Sequence, residues 1–73
     1  MLNQSAEYAV RAVVRLANLG PDEWAQASDL AAELGMPANY LSKLLHQLAT
    51  ANVLASRRGR GGGFRLGRPA ERV

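Results

Sequence analysis

The fold turns on Met36-Pro37-Ala38-Asn39-Tyr40-Leu41-Ser42-Lys43-Leu44-Leu45-His46-Gln47-Leu48-Ala49-Thr50. Pro37 fixes its own φ and keeps Met36 out of the helical region, so residues 36–39 read as a tight connection and a helix follows to about Ala51. At about 100° per residue, Leu41, Leu44, Leu45 and Leu48 gather on one side of that helix, and Asn39, Ser42, Lys43, His46 and Thr50 gather on the other. The outward side carries amide, hydroxyl, amine and imidazole groups but no carboxylate. A solvent-facing helix ordinarily mixes Glu with Lys; a helix that reads base edges in a DNA groove has this acid-free polar face.

Upstream, Ser28 reads as the N-cap of a short helix with Asp29 in its first turn and Leu30, Ala31 and Leu34 facing inward, stopped by Gly35. Trp24-Ala25-Gln26-Ala27 is too short for a helix and reads as a short strand. Before it, Gly20-Pro21 ends a first helix expected over about residues 5–19, capped by Ser5, with Ala6, Ala9, Val10, Val13, Leu16 and Ala17 at helical spacing. Glu7, Arg11 and Arg15 lie four apart, in the order that favours pairing along one helix. They are expected to form a solvated stripe, with a phosphate contact from the arginines as the alternative.

Downstream, Asn52 ends the third helix in the left-handed conformation that Asn tolerates. Val53-Leu54-Ala55-Ser56 and Phe64-Arg65-Leu66 read as two strands around Gly61-Gly62-Gly63, expected to be a flexible tip, with Gly67-Arg68-Pro69 closing the hairpin. The order is helix, short strand, two helices joined by a tight turn, then a hairpin. That is a mainly α fold with a small β-hairpin, the winged helix-turn-helix, as one domain over residues 1–73 with its wing at about 53–67.

Composition agrees and excludes much else. Of 73 residues 48% are apolar, but thirteen are Ala, eleven Leu and none Ile, a helix-rich mixture with a thin core. Without Cys and with a single His, there is no disulfide framework, thiolate metal site, cysteine nucleophile or multi-histidine site. No run of eighteen apolar residues and no signal-peptide pattern occurs, so a cytoplasmic protein without membrane attachment is expected. Charge is divided unevenly: residues 1–52 hold three Lys/Arg against five Asp/Glu, and residues 53–73 hold six Arg against Glu71 alone. Between Glu33 and Glu71 there is no acid, and a polyanion meets no repulsive carboxylate from that segment.

Several local patterns invite other chemistry. Arg60-Gly61-Gly62-Gly63 lacks the Gly-Lys-Ser/Thr ending of a phosphate loop and the βαβ setting of a dinucleotide fingerprint. Arg57-Arg58-Gly59-Arg60-Gly61-Gly62-Gly63-Phe64 looks like one copy of an RNA-binding Arg-Gly-Gly box, but a charged wing accounts for it between two strands. His46 has no second His or Cys beside it and reads as a solvated or base-contacting group. Trp24 and Tyr40 are expected to pack for area, with stacking as the alternative and a phosphate within reach of the Tyr40 hydroxyl. No acid pair or Ser/His/Asp set is nominated, so no enzyme is expected.

Four segments together resemble the N-terminal DNA-binding domain of the Rrf-type bacterial transcription regulators, the family of the iron-sulfur assembly regulator and the nitric-oxide-sensing repressor. They are Glu7-Tyr8-Ala9-Val10-Arg11-Ala12, Asp29-Leu30-Ala31-Ala32-Glu33-Leu34-Gly35-Met36, Asn39-Tyr40-Leu41-Ser42-Lys43-Leu44-Leu45, and the wing from Ser56 to Leu66, the most specific. The resemblance implies a homodimer on an operator of imperfect two-fold symmetry, with base contacts falling on Asn39, Ser42 and Lys43 and a minor-groove arginine at Arg58. Arg57, Arg60, Ser28 and Tyr40 are expected at phosphates. Pro37 stands where relatives often have a capping Ser, and Ser42-Lys43 where they commonly have Glu-Gln, so the operator sequence need not match theirs. Members of the family continue past the wing with a dimerisation helix and often an iron-sulfur cluster; no cofactor is expected in these 73 residues. The alternatives are a winged-helix protein-interaction module with non-specific nucleic-acid affinity, and RNA binding through the Arg/Gly segment.

Overall fold

The computed structural model describes residues 3–67. Arg68, Pro69, Glu71 and Arg72, which entered the charge balance and the closing turn, lie outside the described residues. Three helices, α1 (Gln4–Ala17), α2 (Ala27–Leu34) and α3 (Ala38–Thr50), precede a hairpin of β1 (Leu54–Arg57) and β2 (Gly63–Leu66). The strands run antiparallel, with Leu54 opposite Leu66, Ala55 opposite Arg65, Ser56 opposite Phe64 and Arg57 opposite Gly63. This is the winged helix-turn-helix the sequence predicts.

The short strand before α2 contracts to a single bridge between Ala25 and Phe64. It has both hydrogen bonds, Ala25 N–H to the Phe64 carbonyl at 2.9 Å and Phe64 N–H to the Ala25 carbonyl at 2.7 Å. Backbone held extended to this point lets α2 start at once. Gln26 is therefore its N-cap, without a side-chain bond, and Ser28 lies inside the first turn instead of capping it. Ser5 does not cap α1 either. Asn3 does, its side-chain oxygen accepting the Ala6 N–H at 2.8 Å, and the Ser5 hydroxyl pairs with Tyr40 instead. The ends behave as the sequence suggests: Gly35 closes α2 at φ 68°, and Asn52 leaves α3 at φ 65°.

The core is made by Ala12 and Leu16 of α1, Leu30 and Ala31 of α2, Met36 of the connection that follows, Leu41 and Leu45 of α3, and Leu54 and Phe64 of the hairpin. Leu44 and Leu48 pack at its edge, as does Leu34. Among the described residues no polar side chain is buried, so apolar burial carries the fold. The face of α1 differs from expectation. Tyr8, Ala12 and Leu16 turn toward the other elements, while Val10 is 52% exposed and Val14 57% exposed. Apolar residues occur nearly all round this Ala- and Val-rich helix, so their spacing alone does not select the buried side.

The glycine run is built into the wing rather than a loose tip. Gly63 is the first residue of β2, paired with Arg57. It holds φ 134°, and a Cβ there would overlap the Ala25 carbonyl. A Cβ on Gly62 would overlap the Arg57 carbonyl. The loop closes through a Gly62 N–H to Gly59 carbonyl bond of 3.0 Å.

Candidate nucleic-acid interface

Helix α3 presents its side chains as the pattern requires. Leu41 and Leu45 are fully buried, which fixes the rotation of the helix and leaves Asn39 and Lys43 exposed, with Ser42 half-buried between them. His46 continues this side, and its ring meets Phe64 edge-on with centroids 5.2 Å apart. That contact brings the polar face of α3 up against β2 of the wing.

In the wing, Arg57 ends β1, while Arg58 and Arg60 lie in the loop before β2; all three are exposed. Ser28 is exposed in the first turn of α2. Tyr40, 36% exposed, shares a 2.6 Å hydrogen bond between its hydroxyl and that of Ser5 and packs edge-on against Tyr8, with centroids 5.7 Å apart. When Ser5 donates, the Tyr40 proton is left to donate elsewhere. Asn39, Ser42 and Lys43 thus share one helix face beside the arginine-bearing hairpin, and Tyr40 anchors the start of α3 to α1.

The arginines of α1 do not form a stripe along one helix. Arg15 pairs with Glu33 of α2, its Nε 2.7 Å from a carboxylate oxygen, and Arg11 donates to the Leu34 carbonyl at 3.3 Å. Glu33, first by its hydrogen bond and then by its charge, raises the pKa of Arg15 above the ordinary value. These residues tie α1 to α2. Glu33 is thereby engaged by α1, and α3 and the wing carry no acid of their own.

One grouping was not assembled from the sequence. The guanidinium carbons of Arg57 and Arg65 stand 5.8 and 5.4 Å from the centre of the Trp24 ring. Alternation along the strands is the signal that points to it, because it puts Arg57 and Arg65 on the same side of the hairpin. The docking of Trp24 onto that side depends on the Ala25 bridge.

Residues 2–73 match the model of the Rrf2 family, described as iron-dependent transcriptional regulators. The chain belongs to the Rrf2 family. Two HTH-type transcriptional regulators of Mycobacterium tuberculosis, from the CDC 1551 and H37Rv strains, are each 40% identical to it over 72 residues, which is 99% of this chain and 45% of theirs. The chain therefore spans less than half the length of these relatives. Among solved structures, the Bacillus subtilis global cysteine regulator CymR superposes with a TM-score of 0.90 at 22% identity, covering all of this chain and 57% of its own. IscR of T. potens does so with 0.87 at 26%, again over all of this chain and 53% of its own. Family and relatives are transcriptional regulators, not enzymes. The iron dependence in the family description finds no ligand set here: the sequence has no Cys, and no group of three or more His, Asp or Glu comes together among the described residues. No described helix is long and apolar enough to cross a membrane.

Proposed function

We propose that this chain reads double-stranded DNA sequence-specifically, as the DNA-binding part of a cytoplasmic repressor that acts as a homodimer in its full-length form. Helix α3 enters the major groove with Asn39, Ser42 and Lys43 toward base edges. Arg58 enters the adjoining minor groove, and Arg57, Arg60, Ser28 and Tyr40 hold phosphates. The observation that carries this reading is the acid-free polar face of α3 set directly beside an exposed arginine wing, in a member of a family of transcriptional regulators. Lys and Asn are side chains that discriminate bases in the major groove, and a narrow minor groove concentrates negative potential that draws an arginine in. A homodimer would set two such units about 34–36 Å apart along the duplex, giving a two-fold symmetric operator. This role uses no cofactor held by these residues.

The test is selection from a randomised double-stranded DNA pool at two salt concentrations, with sequencing of what is retained. A common motif that persists at the higher salt is expected, because base contacts survive when the counterion contribution shrinks. Lys43→Ala should weaken binding to that motif by about 1–3 kcal/mol and relax the preference at one base position. Retention without enrichment, lost at higher salt, overturns the sequence-reading role and leaves a non-specific basic surface.

A further inference from the structure

Trp24, Arg57 and Arg65 come from three stretches of chain and meet on one side of the small sheet. Arg65 lies opposite Ala55, and Arg57 is two residues further along the same strand. Both therefore project from the side away from Leu54 and Phe64, which are buried. The Ala25–Phe64 bridge sets Trp24 in line with Arg65 on that same outer side. Each guanidinium stands within 6 Å of the indole centre, the range in which an aromatic face attracts a cation.

Two like charges held near one ring repel each other, and neither Arg57 nor Arg65 has a carboxylate partner among the described residues. An anion relieves that repulsion. A guanidinium lying on an aromatic face still has the N–H groups of its edge free, and those groups match the oxygens of a phosphate. The ring holds both side chains in place beforehand, so less rotamer freedom is lost when the anion arrives. The side chains also adjoin the wing: Arg57 immediately precedes Arg58 at the mouth of the loop.

We infer that Trp24, Arg57 and Arg65 form a stacked phosphate-binding platform on the outer side of the sheet, gripping the DNA backbone beside the groove that the wing enters. The inference rests on the DNA-binding reading and extends it to Trp24 and Arg65. Arg65 is a phosphate contact, and Trp24 is a positioning residue that acts through both arginines. The chemistry selected is a polyphosphodiester rather than a carboxylate-rich protein surface, since the platform is continuous with the wing.

Trp24 is the chain's single tryptophan, so its emission reports from the platform itself. Binding of a fluorescently labelled duplex is followed by anisotropy as a function of salt, with Trp24 emission read in the same titration and a poly-glutamate peptide as a parallel probe. Duplex binding is expected to change Trp24 emission, and poly-glutamate at equal charge is not. Arg65→Gln is expected to lower the slope of log affinity against log salt by about 0.9, one phosphate contact. Trp24→Leu should weaken duplex binding about threefold to tenfold, because the two arginines are then no longer ordered before the phosphate arrives, while Trp24→Phe keeps most of the affinity. Thermal unfolding of each variant separates loss of fold from loss of contact.

Anisotropy that shows binding while Trp24 emission and the Arg65→Gln slope stay unchanged overturns the platform and leaves the DNA-binding reading intact. An equal emission change with poly-glutamate overturns the preference for phosphate and reassigns the surface to an acidic protein. Absence of duplex binding in the anisotropy itself overturns both readings.

Discussion

Gly63 shows at a single residue how a loop-like sequence becomes a structural joint. Three consecutive glycines read as slack, because composition reports freedom and does not show where a neighbouring chain passes. Here the Ala25 carbonyl occupies the place of the missing Cβ, and φ 134° lies where L-residues are strained. Gly63→Ala should therefore cost about 1–3 kcal/mol, and more if the Ala25 bridge breaks. Urea unfolding measures it, and a midpoint equal to wild type would show that the wing has slack to absorb a methyl group. Asn52 and Gly35 were legible because each sits at the end of an apolar pattern, where a left-handed residue is expected. Ser5 and Ser28 were misread because a capping residue is chosen by where its helix begins. That start was set by Asn3 in one case and by the Ala25 bridge in the other.

Among the elements, α3 was the most legible. Its leucines define one side so sharply that Asn39, Ser42 and Lys43 could be assigned to the other from spacing alone. Helix α1 was the least, since Val10 and Val14 are as apolar as anything it buries. Its arginines look like partners for Glu7 along the helix, yet Arg15 and Arg11 reach across to α2. No single-helix pattern contains that information. The wing was legible as a hairpin with basic residues, but which of them share a side of the sheet requires the register. Arg58 lies beyond the paired strand, exposed in the loop, the position that the proposed groove contact requires. Arg58→Ala should lower affinity and reduce the advantage of A·T-rich flanks, as expected when a narrow minor groove is being read. Binding to duplexes that differ only in flanking composition checks this, and an equal loss on every flank would make Arg58 a plain phosphate contact.

At the scale of the whole molecule, the thin core foreseen from an Ala-rich composition is what the fold contains. Among the described residues nine buried apolar side chains form it, two of them alanines. Leu41 is fully buried at the point where α3 meets the rest of the chain, so Leu41→Ala should remove about 2–5 kcal/mol. Small domains have only about 5–15 kcal/mol to lose. Thermal unfolding by circular dichroism should show a midpoint lowered by about ten degrees or more, and a midpoint within two or three degrees of wild type would contradict the packing described. The separation of charge between the two parts of the chain was readable directly. Its spatial meaning was not, because only the folded arrangement shows Glu33 engaged by Arg15 and the acid-free segments lying side by side.

The pair of hydrogen bonds joining Ala25 to Phe64 has one more consequence. A hairpin attached only at its base would swing like a hinged finger, and a reader built that way would tolerate ducts of many widths. Here the finger is tied at Phe64 to the segment between α1 and α2, and the same Phe64 ring meets His46 of α3. The spacing between α3 and β2 is consequently set by these contacts, like the jaws of a set caliper. On the proposed DNA-binding reading, a duplex would have to supply that gap or deform to meet it, and groove width and helical pitch would become part of what is recognised, at base pairs that no side chain touches.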